Sequence, residues 1–423
     1  MKTIKTISIA ASLSISAALA AQTTHPRERD LGLPIGGVAG RLDAITDVAG
    51  VEVGYTTLIS GEGRLVVGKG PVRTGVTIVV PRGKENLDPV FANWYSYNGN
   101  GEMTGTTWVT EGGFLEGPIG ITNTHSVGTV RDAIIGWETS GGRRMIQPWQ
   151  LPVAAETYDG GQNDINGFHV KPEHVLAAIN SATGGVVPAE GNVGGGTGMT
   201  CFGFKGSTGT ASRKLPDSQG GYTVGVLVQC NTGARAQLRI GGVPVGRELA
   251  DTLLGCTASN DAAINVRFGR RCAGFEVPGE RTSSLPFGGS LADGLMEEGQ
   301  GSMIVIVATD APLLPNQIER LLKRLPAGLG RQGNVAGNGD GDIFFGFSTA
   351  NARAAQDTAP LARFVANARI APLFDATSQA LEAAITNGLL AGETMTGAEF
   401  RRTYSLPAAR LKAIFAKYGQ PLP

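Results

Sequence analysis

Neither sign of charge is in excess: lysine plus arginine and aspartate plus glutamate each number 36. With no basic stripe and no acidic tail, nucleic acid and anionic membrane surfaces are excluded as partners. Beyond the first twenty residues no apolar run approaches eighteen, so nothing in the body of the chain reads as a membrane span. Cysteine numbers four, never as C-x-x-C, which argues against a structural zinc. The histidines at 25, 125, 169 and 174 show no metal-ligand spacing and no evident general base. Glycine is abundant, at 63 residues, but keeps no fixed period. A collagen is excluded, and the excess reads as tight turns and close backbone packing.

What is present begins with a leader. Lys2 and Lys5 precede a small-and-apolar stretch over 7–19, and Ala18-Leu19-Ala20 supplies an A-x-A cleavage site before Ala21-Gln22. The expectation is a signal peptide over 1–20 and an exported protein, periplasmic or secreted. Export permits disulfides. Cys256 and Cys272 lie in one loop-like segment, where a bridge adds roughly 3 kcal/mol on the chain-entropy model. Cys201 and Cys230 sit in strand-like surroundings, and either pair or serve as small buried hydrophobes.

Apolar β-branched runs at 75–81, 118–123, 223–231 and 302–309 read as strands, and 343–347 as a fifth. The stretch 45–55 alternates around Gly50 as a hairpin or bulged strand does. Residues 91–111 mix Trp94, Tyr95, Tyr97 and Trp108 with glycines and read as an aromatic loop. One-face spacing predicts helices over 129–137, 171–181, 376–387 and 408–418, and one after Pro315 carrying Ile318, Leu321, Leu322 and Leu325. Over 247–299 periodicity fades, which predicts a surface insertion with a helix at most over 249–254. Gly191–Gly198 lacks the strand, helix and acidic residue of a phosphate loop. Grouped strands with inserted helices point to a layered α/β protein rather than a doubly wound one.

Three clusters and one serine carry reactive groups. Gly299-Gln300-Gly301-Ser302 ends in a hydroxyl at the mouth of a buried strand. The plain reading is a Gly-Ser turn feeding the core. The chemical reading is a chain cut before Ser302, so that one residue holds both a nucleophilic Oγ and an α-amine able to deprotonate it. Glu156 and Tyr158, two apart on a strand, project to one face, where a carboxylate and a phenol together hold an ammonium and stabilise an oxyanion. Asn231 ends a strand and offers an amide donor. Each also has an ordinary reading, as solvated carboxylate, half-buried aromatic and turn former. Asn338-Gly339-Asp340-Gly341-Asp342 opens like a calcium loop, but Ile343 and Thr349 stand where that loop needs glycine and glutamate. What remains is a turn, or carboxylates that orient an ammonium. Nothing calls for a cofactor.

Five stretches spread in order along the chain resemble the L-aminopeptidase/D-amino-acid amidase and esterase family, which includes the β-peptidyl aminopeptidases. They are 44–51, 155–160, 224–233, 301–315, and 341–344 with 347–351. The resemblance implies a four-layer αββα sandwich of N-terminal-nucleophile-hydrolase type, assembled as a homo-oligomer of αβ pairs. It implies a precursor that cuts itself between Gly301 and Ser302, giving chains of 21–301 and 302–423. Ser302 is then the nucleophile and its new amine the base. Asn231 and Tyr158 carry over as donors beside it, Glu156 as binder of the substrate's free α- or β-ammonium, and Asp342 as the group orienting the Ser302 amine. Asp340 departs from the family pattern, where serine is usual. A second carboxylate there raises the pKa of one of the two and suits a cationic substrate end. The substrates implied are peptides, amides or esters with a free L-α, D- or β-amino acid residue. Acyl transfer on the same fold and a non-catalytic exported binding protein are the alternative readings.

Overall fold

The β-branched runs of the sequence become two stacked sheets, each with one face against its neighbour and one against helices. The computed structural model describes residues 25–141, 145–266, 268–279, 301–356 and 361–423. The stretch 1–20 expected to be a leader, Gly299-Gln300 and the part of the 247–299 segment from 280 onward lie outside the described residues.

In chain order the strands are β1 (Glu52–Ser60), β2 (Val72–Val80), β3 (Val90–Ser96), β4 (Phe114–Leu115), β5 (Ile119–Asn123), β6 (Val153–Thr157), β7 (Thr208–Lys214), β8 (Thr223–Asn231), β9 (Cys256–Thr257), β10 (Ser302–Thr309), β11 (Gly341–Ser348), β12 (Met395–Thr396) and β13 (Arg401–Thr403). The helices are α1 (Thr106–Gly112), α2 (Val127–Thr139), α3 (Pro172–Ser181), α4 (Val245–Glu248), α5 (Pro315–Leu322), α6 (Leu325–Gln332), α7 (Ala371–Leu390) and α8 (Ala408–Lys417). The larger sheet runs β4-β3-β11-β10-β8-β7 and the smaller β1-β2-β5-β6. Within the larger sheet β10 is parallel to β11 and antiparallel to β8, which places Ser302 opposite both Gly341 and Asn231.

Three cores separate four layers. Along β10 the side chains alternate: Met303, Val305 and Val307 enter the core under α5, α6 and α7, while Ile304, Ile306 and Ala308 enter the core between the sheets. On the smaller sheet Val76, Ile78 and Ala154 pack against Val130 and Ile134 of α2 and Val175 and Ile179 of α3. Each valine and isoleucine among them contributes about 1.5–3 kcal/mol through burial. The order is helices, sheet, sheet, helices: the expected αββα sandwich.

Local expectations fared unevenly. Residues 45–47 form one turn of 3-10 helix, and the strand starts only at Glu52 beyond the turn at Gly50. Only the middle of the aromatic stretch is a loop, over 97–105: its ends supply β3, paired with β11, and α1. The helix of the 247–299 segment lies at Val245–Glu248, ahead of 249–254, where Leu249 caps it outside helical geometry and Leu253 has a left-handed φ of 52°. Gly333 ends α6, which together with α5 replaces the single helix after Pro315. Both disulfides are formed, Cys201–Cys230 as well as Cys256–Cys272. The latter closes a loop whose β9 pairs with β13, tying this segment to the C-terminal hairpin.

Candidate active site

At one end of the larger sheet three strand ends come level. Ser302 begins β10, Asn231 ends β8 and Gly341 begins β11. Ser302 shares the face of Ile304, and Asn231 that of Leu227, so both side chains turn toward the space between the sheets. Asn231 is oriented at both ends of its amide. Its Oδ1 accepts the Thr200 N–H at 3.0 Å and its Nδ2 donates to the Tyr158 carbonyl at 2.8 Å. An amide nitrogen carries two hydrogens, so one remains to give. The Cys201–Cys230 bridge joins the residue after Thr200 to the residue before Asn231.

The residue preceding Ser302 is held at both of its backbone polar atoms. The Gly301 N–H donates to Asp340 Oδ1 at 2.6 Å, and the Gly301 carbonyl accepts the Gly341 N–H at 2.8 Å. Only glycine fits at 301, because a Cβ there would lie 1.7 Å from the Asn231 carbonyl oxygen.

Three carboxylates gather around this row, all buried: Glu156 is 3 % exposed, Asp340 1 % and Asp342 0 %. Asp342 Oδ1 has no partner, while its carboxylate is approached by the Met303 N–H and, at 3.4 Å, by Asn98 Nδ2. Burial, and then the neighbouring Asp340, push its pKa up to about 7. Asp340 also accepts the Gly337 N–H at 2.6 Å and a bond from Thr232, and burial raises its pKa. Burial raises that of Glu156 too, against the opposing bonds from the Thr124 hydroxyl and, at 3.0 Å, the Glu102 N–H. Among the described residues no lysine or arginine forms an ion pair with any of the three. Buried carboxylates without a cation are costly, and a site that keeps them is suited to a cation that arrives from elsewhere.

The segment that assembles these groups lies inside the 91–111 stretch expected to be an aromatic loop, and this part of it is a loop. Residues 97–102 follow β3 and wrap the start of β11. The Tyr97 N–H donates to the Asp342 carbonyl at 3.0 Å and the Asn100 N–H to the Asp340 carbonyl at 3.1 Å, while Asn98 Oδ1 accepts the Asp342 N–H. Gly101 then fits between the sheets' ends: a Cβ on it would lie 3.3 Å from Gly341 Cα and 3.4 Å from Glu156 Oε1. The visible signal was the run Asn98-Gly99-Asn100-Gly101, short polar residues directly after an aromatic strand. Thr124 and Thr200 had no local signal.

A family model described as Peptidase family S58 matches residues 43–403. The chain belongs to peptidase family S58. It is 52 % identical over 401 residues to the β-peptidyl aminopeptidase BapA of Sphingosinicella microcystinivorans, with 94 % of each chain covered. Two solved structures share its architecture. One is a Burkholderia sp. β-aminopeptidase, 40 % identical with a TM-score of 0.75, covering 93 % of this chain and 99 % of that one. The other is the L-aminopeptidase D-Ala-esterase/amidase of Ochrobactrum anthropi, 38 % identical with a TM-score of 0.76 and the same coverage, a variant of the Ntn hydrolase fold. This S58 peptidase is a hydrolase of the aminopeptidase type.

In the S58 peptidase Tyr158 stands apart from its expected geometry. β6 ends at Thr157, so the alternation that would put Tyr158 on the face of Glu156 stops one residue short. Its carbonyl holds Asn231, and its hydroxyl lies over Gly160, 2.3 Å from where a Cβ there would stand. Beneath Thr200, Lys205 is fully buried and donates to the Thr197 carbonyl at 2.8 Å and the Met199 carbonyl at 2.5 Å. Burial lowers its pKa to about 7, and burial raises that of nearby Asp159 to about 6.

Proposed function

We propose that this peptidase is made as a single inactive chain that cuts itself before Ser302 and then works as an exported aminopeptidase. Ser302 Oγ attacks the Gly301 carbonyl carbon. The C–O bond forms, the C–N bond breaks, and the nitrogen takes a proton to become the free α-amine of Ser302. Water then hydrolyses the resulting ester, leaving chains of 21–301 and 302–423. The same Oγ attacks the substrate carbonyl in turnover, with the new amine as general base. The spare Asn231 N–H stabilises the oxyanion, and Tyr158 positions that amide through its carbonyl. Asp342 orients the amine, and Glu156 binds the substrate's free ammonium. That pairing restricts cleavage to N-terminal residues.

The observation that carries this reading is the row Asn231–Ser302–Gly341. It sets a hydroxyl, an oriented amide donor and a bonded carbonyl side by side, with an unpaired buried carboxylate behind them. Because the similar proteins are named as β-peptidyl aminopeptidases, β-aminoacyl groups are tried alongside L-α and D-aminoacyl amides and esters. The test is hydrolysis of aminoacyl p-nitroanilides with and without N-acetylation. Free amines are expected to be cleaved and acetylated ones to resist. Equal rates would remove Glu156 from its role and make the protein something other than an aminopeptidase.

A further inference from the structure

The Gly301 residue shows where an acyl group sits when its carbonyl faces Ser302. Its nitrogen, α-carbon and carbonyl carbon repeat the arrangement at the front of a glycyl substrate: an amine nitrogen, one carbon, then the carbonyl. The carbonyl rests on the Gly341 N–H at 2.8 Å and the nitrogen on Asp340 Oδ1 at 2.6 Å. Once that link is broken and Gly301 withdraws, Asp340 keeps the Gly337 N–H and the Thr232 bond but loses its third donor. A carboxylate only 1 % exposed is then short of a partner, one carbon away from the reacting centre.

We propose that Asp340 is a specificity-determining residue that receives the ammonium borne on the carbon next to the scissile carbonyl. This rests on the aminopeptidase reading above. Glu156 is the next carboxylate along, its Oε1 3.4 Å and Gly341 Cα 3.3 Å from where a Cβ on Gly101 would stand. Asp340 reads the α-ammonium and Glu156 serves both α- and β-ammonium. A charge-assisted bond of this kind is short and about twice as strong as a neutral one.

The test uses substrates without side chains, because a Cβ in the Gly301 position meets the Asn231 carbonyl. Glycyl and β-alanyl p-nitroanilides differ only by the carbon that separates amine from carbonyl. Rates per cleaved chain, with cleavage counted by intact mass, are compared in wild type, Asp340→Asn and Asp340→Ser. The expected result is a kcat/KM loss on the glycyl substrate at least tenfold greater than on the β-alanyl one, mainly in KM. Equal losses, or none, overturn the proposal. Should neither variant cleave itself, wild type decides. Replacing glycyl by acetyl must then cost more than replacing β-alanyl by propanoyl, and a smaller cost overturns it. A wild type inactive on every free-amine substrate instead overturns the aminopeptidase reading itself.

Discussion

Ser302 and Asn231 are register partners, the first residue of β10 opposite the last of β8, with both side chains on the face between the sheets. The pairing is fixed by the strand ladder rather than by the side chains. Removing the amide therefore removes a donor without moving the hydroxyl. Asn231→Ala is expected to lower kcat by about 10²–10³-fold, the usual cost of one oxyanion donor, with KM little changed. Steady-state kinetics on a free-amine p-nitroanilide check this; a loss confined to KM contradicts it.

The buried Asp342 makes the uncut chain sensitive to pH. Its pKa of about 7 in the fold lies above its ordinary 3.8, so the folded state holds the proton more tightly than the unfolded one. The resulting stability is complete below about pH 4 and is lost as pH rises through about 7. In a Ser302→Ala background, Asp342→Asn is expected to remove this decline, on the order of 2–4 kcal/mol at about 1.4 kcal/mol per pH unit. Urea unfolding at pH 5 and pH 8 measures it. Parallel pH profiles for the two proteins contradict the assignment.

Asn98 bridges the backbone and the carboxylate of Asp342. Asn98→Ala leaves the Asp342 N–H without its acceptor, at a cost of about 1–3 kcal/mol. It also frees the carboxylate to swing. Lower urea stability together with slower appearance of a chain beginning at Ser302 is the expected pair of results. Full stability and unchanged cleavage would show the contact to be incidental.

The two disulfides are expected to separate stability from activity. Opening Cys201–Cys230, a separation of 29 residues, costs about 3–4 kcal/mol, and opening Cys256–Cys272, a separation of 16, about 3 kcal/mol. Only the first adjoins Thr200 and Asn231. Paired Cys→Ala variants are expected to lower kcat for Cys201–Cys230 and leave it within twofold for Cys256–Cys272. Equal effects on kcat would detach the first bridge from the site.

What was legible in the sequence were features set by near neighbours. Ser302 at the mouth of an apolar run is a strand start whatever lies around it, and Val130 with Ile134 or Val175 with Ile179 make a helix face by spacing alone. The four layers came through the family resemblance; periodicity pointed only to a layered α/β chain. β7 escaped notice because Thr208, Gly209, Thr210 and Ser212 look like a turn and become a strand only under α7 and beside β8. Aromatic Phe91, Trp94 and Tyr95 read as a loop because their pairing partner, β11, lies some 250 residues on. The site divided in the same way. Asp340 and Asp342 stood out as carboxylates among glycines, whereas Asn98, Thr124 and Thr200 act on partners 31 to 244 residues away and show nothing locally.

The most direct measurement is the intact mass and N-terminal residue of purified wild type beside Ser302→Ala. The account predicts two wild-type chains, one beginning at Ser302, and a variant that remains one inactive chain. Two fragments from Ser302→Ala, or an active wild type in which no chain begins at Ser302, would contradict it.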